Sequence, residues 1–335
     1  MAVSIRDVAE RAGVSVGTVS NVLNRPDRVS DAVVARVQNA IRDLGYVRND
    51  AARQLRAGRS SSVGLVVLDA RNPFFTDVAR GAEDAAAEHG VSVLLGDSDE
   101  KPEREAAYLD LFEEQRVRGV LVSPLGDIRE RLQRLRTLGT PVVLVDRHAA
   151  DASLSSVSVD DVAGGRTAVA HLLGLGRRRI AFVGGPFSLR QMSDRLAGAR
   201  TAVAAVPGAQ LEVLEVAAPS VLEGRRTGEE LAARRASDRP DAVFTGNDLL
   251  AVGLLQALVM RGAARVPDDI AIIGFDDIDF ASATIVPLSS IRQPSRLIGQ
   301  TALGILLEEA DDPELAPRQV VFQPELVVRE STSPA

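Results

Sequence analysis

The segment SIRDVAERAGVSVGTVSNVLN, residues 4–24, has the pattern of two short helices joined by a tight turn. Three- and four-residue spacing places four apolar side chains on one face of the first helix: Ile5, Val8, Ala9 and Ala12. Gly13 follows where a left-handed backbone costs least, so the first helix is predicted to end there. Ser15 can cap the second helix. That helix is predicted to pack through Val19, Val22 and Leu23 and to leave Val16, Gly17, Ser20 and Asn21 outward.

A third helix is predicted from Ser30, which can cap it, to Gly45. Its apolar stripe consists of Val33, Val37, Ala40, Ile41 and Leu44. Three such helices can bury a small core, and a plain helical hairpin from a packed bundle is the alternative interpretation. Residues 1–60 contain 10 arginines and 6 acidic residues, whereas the remainder contains 29 basic and 40 acidic residues. A basic head on an acidic body predicts that the head alone binds a polyanion, and a helix-turn-helix favours double-stranded DNA.

The run from Ile5 to Gly58 resembles the headpiece of the LacI/GalR family of bacterial transcription regulators. Four ordered motifs carry the resemblance: Asp7-Val8-Ala9, Ala12-Gly13-Val14-Ser15, Thr18-Val19-Ser20 and Leu44-Gly45-Tyr46. It implies a homodimer whose recognition helices enter successive major grooves of a near-palindromic operator. For a headpiece over residues 1–48, the implied DNA contacts are Ser15, Val16, Gly17, Thr18, Ser20, Asn21, Asn24 and Tyr46. Asn21 is the best direct reader, because its amide can bond an adenine edge while Val16 and Gly17 offer no side-chain hydrogen bond.

Residues 49–60 resemble the hinge helix and linker of the same family, which are implied to order on DNA and to insert a leucine into the minor groove. The hinge residues assigned to DNA are Asn49, Arg53, Leu55 and Arg56. So short a helix is not stable alone, which predicts a hinge that forms on DNA; a plain interdomain linker is the alternative. Arg48 stands where the family usually has proline, so a basic residue replaces a rigid turn.

Length and composition limit the possible domain organisation and cellular location of the protein. With 335 residues and 45% hydrophobic content, it is long enough for more than one domain and a large core. It has no cysteine, which excludes disulfides and thiolate metal sites. Arg6 and Asp7 place charge where a secretory segment would be apolar, and no apolar run approaches the length of a membrane span. The sequence therefore predicts a cytoplasmic protein that does not contact membranes.

From Val63 onward, short apolar runs alternate with longer segments of helical periodicity. The predicted buried strands are Val63–Leu68, Val91–Leu95, Gly119–Val122, Pro141–Val145, Ile180–Gly184, Leu211–Val216, Ala242–Phe244 and Ile270–Gly274. The helices between and after them can serve as crossovers, which predicts a doubly wound α/β architecture with parallel sheets.

Such an array over residues 61–335 predicts an effector-binding and dimerisation core of two similar lobes with a cleft between them. It resembles the sugar-binding core that the family shares with periplasmic binding proteins. The lobes are expected at about 61–160 plus 292–322 and about 161–291 plus 323–331.

Ligands of open parallel sheets bind beyond the carboxyl ends of the strands, which selects polar segments that follow the predicted strands. From that rule and the resemblance, the effector-binding residues are Phe74, Phe75, Ser123, Arg147, Gln191, Arg195, Asn247, Asp276 and Gln293. Asn72 and Asp277 are interpreted instead as turn formers. Carboxylate, amide and guanidinium groups can bond neighbouring hydroxyls while a phenylalanine packs on a sugar's apolar face. A purine needs similar groups, so a sugar and a purine both remain open.

The sequence shows no catalytic constellation, cofactor motif or metal site. Gly184-Gly185-Pro186 lacks the spacing of a dinucleotide loop, and the three histidines lie in separate segments. The prediction is a two-state repressor, not an enzyme, with release by a small carbohydrate as the family's commoner pattern; the residues leave the sign of the ligand effect open. A transport-type sugar-binding protein is the alternative class, opposed by the headpiece. The tail after Val327 has no heptad stripe, which favours a dimer over a tetramer.

Overall fold

The computed structural model describes residues 3–46, 60–149 and 153–333. The chain divides into two compact units, residues 1–59 and residues 60–335. The headpiece segment has its own apolar core, separate from the cores of the larger unit. The predicted hinge residues from Asn49 to Arg56 lie outside the described residues.

The first unit begins with helix α1 (Ile5–Ala12), followed by α2 (Val16–Asn24). A capping box starts α1, because the Ser4 hydroxyl accepts from the Asp7 N–H and the Asp7 carboxylate accepts from the Ser4 N–H at 2.7 Å. Gly13 ends the helix with φ 62°, the left-handed conformation that the sequence predicts. The helix-turn-helix thus has the predicted boundaries.

Helix α3 (Asp31–Leu44) completes the small unit and ends at Gly45, again with φ 62°. Ser30 occupies the predicted N-cap position, but its side chain makes no capping hydrogen bond there. The buried core of the three helices consists of Val8, Ala9, Ala12, Val19, Val22, Val37 and Ala40. Val33, Ile41 and Leu44 pack against this core while only partly buried, so the predicted stripe of α3 faces inward along its length.

The described part of the second unit contains two six-stranded sheets. The first sheet is built from β1 (Ser62–Val67), β2 (Ser92–Asp97), β3 (Val120–Val122), β4 (Val142–Val145), β5 (Ser155–Val159) and β11 (Gln319–Phe322). The second sheet is built from β6 (Arg179–Gly184), β7 (Gln210–Glu215), β8 (Ala242–Thr245), β9 (Ala271–Asp276), β10 (Ser289–Arg292) and β12 (Glu325–Val327). The strand orders are β11-β5-β4-β3-β1-β2 and β12-β10-β9-β8-β6-β7, with β12 antiparallel to β10 and the other pairs parallel.

Helices flank both sheets. The first lobe has α4 (Pro73–Glu88), α5 (Pro102–Glu114), α6 (Arg129–Thr137) and α12 (Ser295–Asp311). The second lobe has α7 (Asp161–Gly174), α8 (Arg190–Ala204), α9 (Val221–Ala233), α10 (Asp248–Met260) and the short α11 (Asp279–Ala283). The predicted doubly wound α/β architecture in two lobes is confirmed.

The chain passes between the lobes after β5, after β10 and after β11. Arg292 pairs with Asp276 in the second sheet, so the strand that precedes the second crossing ends at the residue about which the lobe boundary is expected. The short strands β5, β10, β11 and β12 were not predicted as strands. Strand β5 contains three serines and two valines, and all five residues are buried, so the serines lie inside as well as the valines.

Strands β2 and β7 are not the buried strands that the sequence predicts. Strand β2 forms an edge of the first sheet, where Leu94 and Leu95 are 39% and 45% exposed, and β7 forms an edge of the second sheet and contains no buried residue. An edge strand is open to further contacts on one side, and burial of its apolar residues cannot be inferred from their order alone.

Candidate functional site

Helix α2 exposes only part of the residue set assigned to DNA. Gly17, Asn21 and Asn24 are exposed, whereas Val16, Thr18 and Ser20 are half-buried. Ser15 Oγ accepts from the Thr18 N–H at 3.1 Å, so it caps the helix as predicted. Tyr46 packs against the helical core and is partly buried.

Asn24 and Asn21 differ in what their amides do. Asn24 Nδ2 donates to the Ser20 carbonyl oxygen at 2.8 Å and to Ser20 Oγ at 3.3 Å. Among the described residues, nothing engages the exposed amide of Asn21. A side-chain amide can bond bidentately to an adenine, so Asn21 is the residue of α2 best prepared for base contact.

We expect Asn21→Ala to weaken operator binding by about 1–3 kcal/mol and to relax the base preference at one position of each half-site. The reason is loss of a hydrogen-bonded base contact, while phosphate contacts persist. Binding selection from a randomised duplex, followed by fluorescence anisotropy, measures both effects. Asn39→Ala on the outer face of α3 is the matched control. An unchanged base preference in the Asn21 variant would contradict the assignment.

A cavity with about 400 Å³ of empty volume lies between the two lobes at the carboxyl ends of several strands. That volume includes space open to solvent, and the enclosed space is only about 30 Å³, so the walls of the cavity lie close together in this structure. The first lobe supplies Asp69, Asn72, Phe74, Phe75, Glu100 and Asp146 to its wall. The second lobe supplies Leu189, Gln191, Met192, Arg195, Asn247 and Asp276.

Asp276, the last residue of β9, joins residues from both lobes. Asn72 Nδ2, from the first lobe, donates to Asp276 Oδ2 at 3.0 Å, and Gln293 Nε2 donates to Asp276 Oδ1 at 2.8 Å. Burial raises the pKa of Asp276, against the lowering effects of Arg195, Asn72 and Gln293. The carboxylate is therefore surrounded by donors inside a closed, buried site.

Arg195 lies beside Asp276 and is held on several sides. Its Nε donates to Asp161 Oδ1 at 2.7 Å, its Nη1 donates to the Gly246 carbonyl oxygen at 2.6 Å, and Nη1 is 3.7 Å from Asp276 Oδ1. The guanidinium carbon stacks 3.6 Å from the ring centroid of Phe275. These contacts fix the planar group in one orientation at the cavity wall.

Close packing of α7 on α8 brings Asp161 to Arg195. A Cβ at Gly165 would stand 2.1 Å from the Arg195 carbonyl oxygen, and one at Gly198 would stand 2.1 Å from the Val162 carbonyl oxygen. Only glycine permits this approach, since any side chain would push the helices apart. The two glycines thus position the ion pair, a role that their spacing in the sequence did not reveal.

A second bond between the lobes joins Gln191 to Asp146. Gln191 Nε2 donates to Asp146 Oδ2 at 3.4 Å, while Asp146 Oδ1 is buried without a partner among the described residues. Burial raises the pKa of Asp146 well above its usual range, with Asp161 adding to the effect and Arg195 opposing it. Asp146 therefore presents an unused acceptor at the cavity wall.

The assigned effector residues are not equivalent. Phe74, Phe75, Gln191, Arg195, Asn247 and Asp276 line the cavity, and Gln293 is linked to it through Asp276. Ser123 is buried and Arg147 half-buried, but neither is among the residues that line the cavity. Asn247 is used structurally, since its Oδ1 accepts from the Leu250 N–H at 3.0 Å and its Nδ2 donates to the Pro219 carbonyl oxygen at 3.0 Å. Ligand contact by this set stays a prediction.

Sequence reasoning assigned Asn72 to a turn only, and it did not assign Glu100 or Asp146 to the effector site. The turn interpretation of Asn72 is correct, because its side chain accepts from the Phe74 N–H at 3.1 Å and caps α4. The same amide also reaches Asp276. Its place directly after β1 was the available signal. Glu100 follows the edge strand β2 without a distinctive motif.

The loop that carries Asp276 is held in an unusual conformation. Asp276 and Asp277 have φ angles of 107° and 54°, which cost energy for residues with a side chain. Buried Asp248 accepts from the Ile278 N–H at 2.9 Å and from Ser290 Oγ at 2.7 Å, and Ser290 Oγ accepts from the Asp277 N–H at 3.1 Å. These bonds hold the loop so that Asp276 faces the other lobe.

We expect Glu100→Gln to raise the thermal stability of the protein at pH 8 but not at pH 4. Burial raises the pKa of Glu100 to about 7, with Asp69 and Asp99 adding to the effect and Arg71 opposing it. The folded state resists ionisation of this carboxyl, so stability is lost as pH rises through the folded pKa. The neutral amide removes that loss. Thermal melts of both proteins from pH 4 to pH 8 measure the gain in stability. Equal changes in melting temperature at the two pH values would contradict the raised pKa of Glu100.

Comparison with known proteins agrees with this architecture. The family "Bacterial regulatory proteins, lacI family" matches residues 4–49, and the "Periplasmic binding protein-like domain" matches residues 169–332. The ribose operon repressor of Escherichia coli (strain K12) is 34% identical over 336 residues, covering 98% of this chain and 99% of that protein. The chain belongs to the LacI family.

Two further relatives support the family assignment. The transcriptional repressor PurR of Vibrio campbellii is 34% identical over 333 residues, covering 97% of each chain. A crystal structure of the lac repressor dimer bound to operator and an anti-inducer superposes with a TM-score of 0.82 at 28% identity, covering 99% of both chains.

This LacI-family chain is a DNA-binding, ligand-responsive transcription regulator and not an enzyme, as the sequence predicts. Family members bind operator DNA as dimers. Within the described residues, none of the helices has the length and apolarity required to cross a bilayer.

Proposed function

We propose that a small carbohydrate binds in the interlobe cavity of this regulator and releases it from a near-palindromic operator. The observation that supports this most directly is the cluster around Asp276, which receives Asn72 from one lobe and Gln293 and Arg195 from the other side of the cavity. A ligand that bonds to this cluster contacts both lobes. It can therefore change their relative orientation, and its differential affinity shifts the repressor between two states.

The groups on the wall suit a polyol. Asp146 and Asp276 can accept hydroxyl protons, Arg195 and Asn72 supply donors, and Phe74 presents an apolar ring to C–H groups. Hydroxyl groups both donate and accept, so neighbouring hydroxyls can satisfy carboxylate and guanidinium together. The relative that represses a ribose operon makes a monosaccharide a natural first probe.

A purine is less well accommodated. A planar base is bound best between parallel faces, but the rings of Phe74 and Phe75 meet at 72° with centroids 5.0 Å apart. The other hydrophobic residues of the wall are not aromatic and offer no second stacking face: Leu68, Leu189, Met192 and Pro219. The similarity to a purine repressor keeps purines in the experimental panel.

We propose that two copies associate through the large unit, which exposes isolated apolar side chains on both lobes. These are Leu94 and Leu95 on the first lobe and Leu222, Met260, Phe280 and Ile285 on the second. The lac repressor, whose structure resembles this chain over 99% of its length, is a dimer on its operator. We assign DNA contacts to the α2 surface and to the hinge segment, and we place the protein in the bacterial cytoplasm, where the operator is.

A thermal-shift screen of monosaccharides and purines tests the ligand class. A ligand at 100 times its dissociation constant stabilises the protein by about 2.7 kcal/mol, which gives a clear shift. Compounds that shift the melt are then added to the repressor bound to a labelled operator selected in vitro, and fluorescence anisotropy reports release. Shifts by purines with none by sugars would overturn the carbohydrate proposal, and tighter operator binding would reverse the proposed sign.

A further inference from the structure

We propose that the cavity accepts a hydroxyl-bearing effector without negative charge and that Glu100 and Asp146 exclude phosphate esters. This deepens the proposed function and rests on it, since it specifies which carbohydrates the same cavity takes. It concerns selectivity within one chemical class, free sugars against their phosphate monoesters.

The balance of charge on the cavity wall favours this selectivity. Four carboxylates line the cavity, those of Asp69, Glu100, Asp146 and Asp276, whereas Arg195 is the one cationic side chain among the described lining residues. Burial raises the pKa of Glu100 to about 7 and that of Asp146 well above its usual range, so the wall is most negative toward alkaline pH. There a dianionic phosphate would lie among carboxylates in a site of reduced solvent access. Like-charge contacts under those conditions strongly disfavour the wrong ligand.

The charge of Arg195 is already balanced by acidic neighbours, which weakens it as a phosphate clamp. Its Nε and Nη1 already donate to Asp161 and to the Gly246 carbonyl oxygen, and its charge is balanced by Asp161 at 2.7 Å and Asp276 at 3.7 Å. Bidentate phosphate recognition needs two parallel N–H groups free of other acceptors. Arg195 keeps N–H groups, those of Nη2 among them, for a ligand oxygen, so the exclusion of phosphate depends on the surrounding carboxylates and not on a lack of donors.

The buried polar atoms of the site that lack partners are acceptors, which a ligand can satisfy only with hydrogen-bond donors. Among the described residues of the site, these atoms are Asp146 Oδ1 and Gln293 Oε1, and both residues are at most 5% exposed. The Gln293 amide cannot be turned around, because its nitrogen must face the Asp276 carboxylate and its oxygen is left free. Hydroxyl or amino protons of a ligand satisfy these atoms, and phosphate oxygens do not.

Helix N-termini at the cavity are also unfavourable for an anion. The first turn of α4 is capped by Asn72 through the Phe74 N–H, and α10 is capped by Asn247 through the Leu250 N–H. The start of α8 has no side-chain cap, but there Gln191 holds the Asp146 carboxylate. The carboxyl group of Asp146 thus already lies where an anionic ligand would meet α8.

Glu100 is the residue best placed to discriminate. It lines the cavity in a left-handed conformation with φ 54°, held by its N–H to the Leu68 carbonyl oxygen at 3.0 Å. Its neighbour Asp99 has φ 50° but points its carboxylate to Lys101, Arg71 and Arg104 and does not line the cavity. The two residues therefore form a natural pair of test and control.

The experiment uses the full chain and three pairs of probes: D-ribose, D-fructose and D-glucosamine, each beside its terminal phosphate monoester. Thermal shift and operator release are measured at pH 8, above the pKa of about 7 to which burial raises Glu100, for the unaltered protein, Glu100→Gln and Asp99→Asn. We expect each responding sugar to bind at least about 100-fold more tightly than its ester. Glu100→Gln should narrow that ratio about tenfold by improving ester binding, whereas Asp99→Asn should leave it unchanged.

An ester that binds as tightly as its free sugar would overturn the inference while leaving the carbohydrate-responsive repressor intact. The same holds if Asp99→Asn alters the ratio as much as Glu100→Gln, because the effect would then be general surface charge. If none of the six compounds shifts the melt, the carbohydrate class itself fails and the inference falls with it. An unchanged melting profile of Glu100→Gln without ligand at pH 4 verifies that the variant folds.

Discussion

Replacing Asp276 by alanine should abolish the ligand response while leaving operator affinity intact. The substitution removes the carboxylate that receives Asn72, Gln293 and Arg195, so a ligand loses the group through which the two lobes are joined. Hydrogen bonds to charged groups contribute about 1.5–3 kcal/mol each. A ligand that loses two such bonds to the carboxylate should bind at least about 100-fold more weakly. Operator affinity should persist because the helix-turn-helix belongs to the other unit of the chain.

Isothermal titration with the most stabilising sugar and anisotropy with the operator measure the two properties separately. Asp279→Ala is the matched control, since Asp279 is an exposed aspartate three positions later on the same loop and helix. Asp276→Asn should also fail, because an amide places a donor against the donors of Asn72 and Gln293. A normal response by either Asp276 variant would overturn the assigned role.

Arg195→Ala is expected to have the largest effect on folding, with a loss of about 3–5 kcal/mol in the free energy of unfolding. The guanidinium is 3% exposed and neutralises the buried Asp161 and Asp276. Burial alone would lower the pKa of Arg195, but the carboxylates of Asp161, Asp276 and Asp146 raise it overall. Removal of the cation leaves these carboxylates without compensation in a buried site.

Urea denaturation followed by circular dichroism measures this loss. Arg200→Ala, on the exposed face of the same helix, should change the free energy of unfolding by less than about 0.5 kcal/mol. Arg195→Lys should be intermediate, because lysine keeps the charge but not the planar stack on Phe275 or the separate bonds to Asp161 and Gly246. Equal stabilities of the Arg195 and Arg200 variants would contradict a central electrostatic role.

Much of the fold was accessible from the sequence because its signals are local. The spacing of Val8, Ala9 and Ala12 and the left-handed Gly13 define the helix-turn-helix without reference to distant residues. The long parallel strands read as apolar runs because both faces of the sheets are covered by helices. Strands such as β5 and β12 gave no such signal, because they are short and their burial depends on partners far along the chain.

The residues of the ligand cavity were predicted less completely, because their positions also depend on partners far along the chain. The rule that ligands bind beyond strand ends pointed to Asp276 and Asn247, and family resemblance added Arg195 and Gln293. Neither the rule nor the resemblance distinguished Asp146, which lines the cavity, from Ser123 and Arg147, which do not. Which of two adjacent residues faces the cavity depends on the backbone turn after the strand, such as the φ of 55° at Asp146.

The sequence by itself determined the order of the helix-turn-helix and the two α/β lobes, the basic head on an acidic body, and membership of a regulator family. These follow from periodicity, capping and composition, which act over a few residues or over the whole chain. Only the tertiary structure decided that Asn72 and Asp276, 204 positions apart, share a hydrogen bond between the lobes. It also decided that Glu100 and Asp146 line the same cavity, because chain crossovers and helix packing bring together residues whose separation in sequence carries no record of their contact.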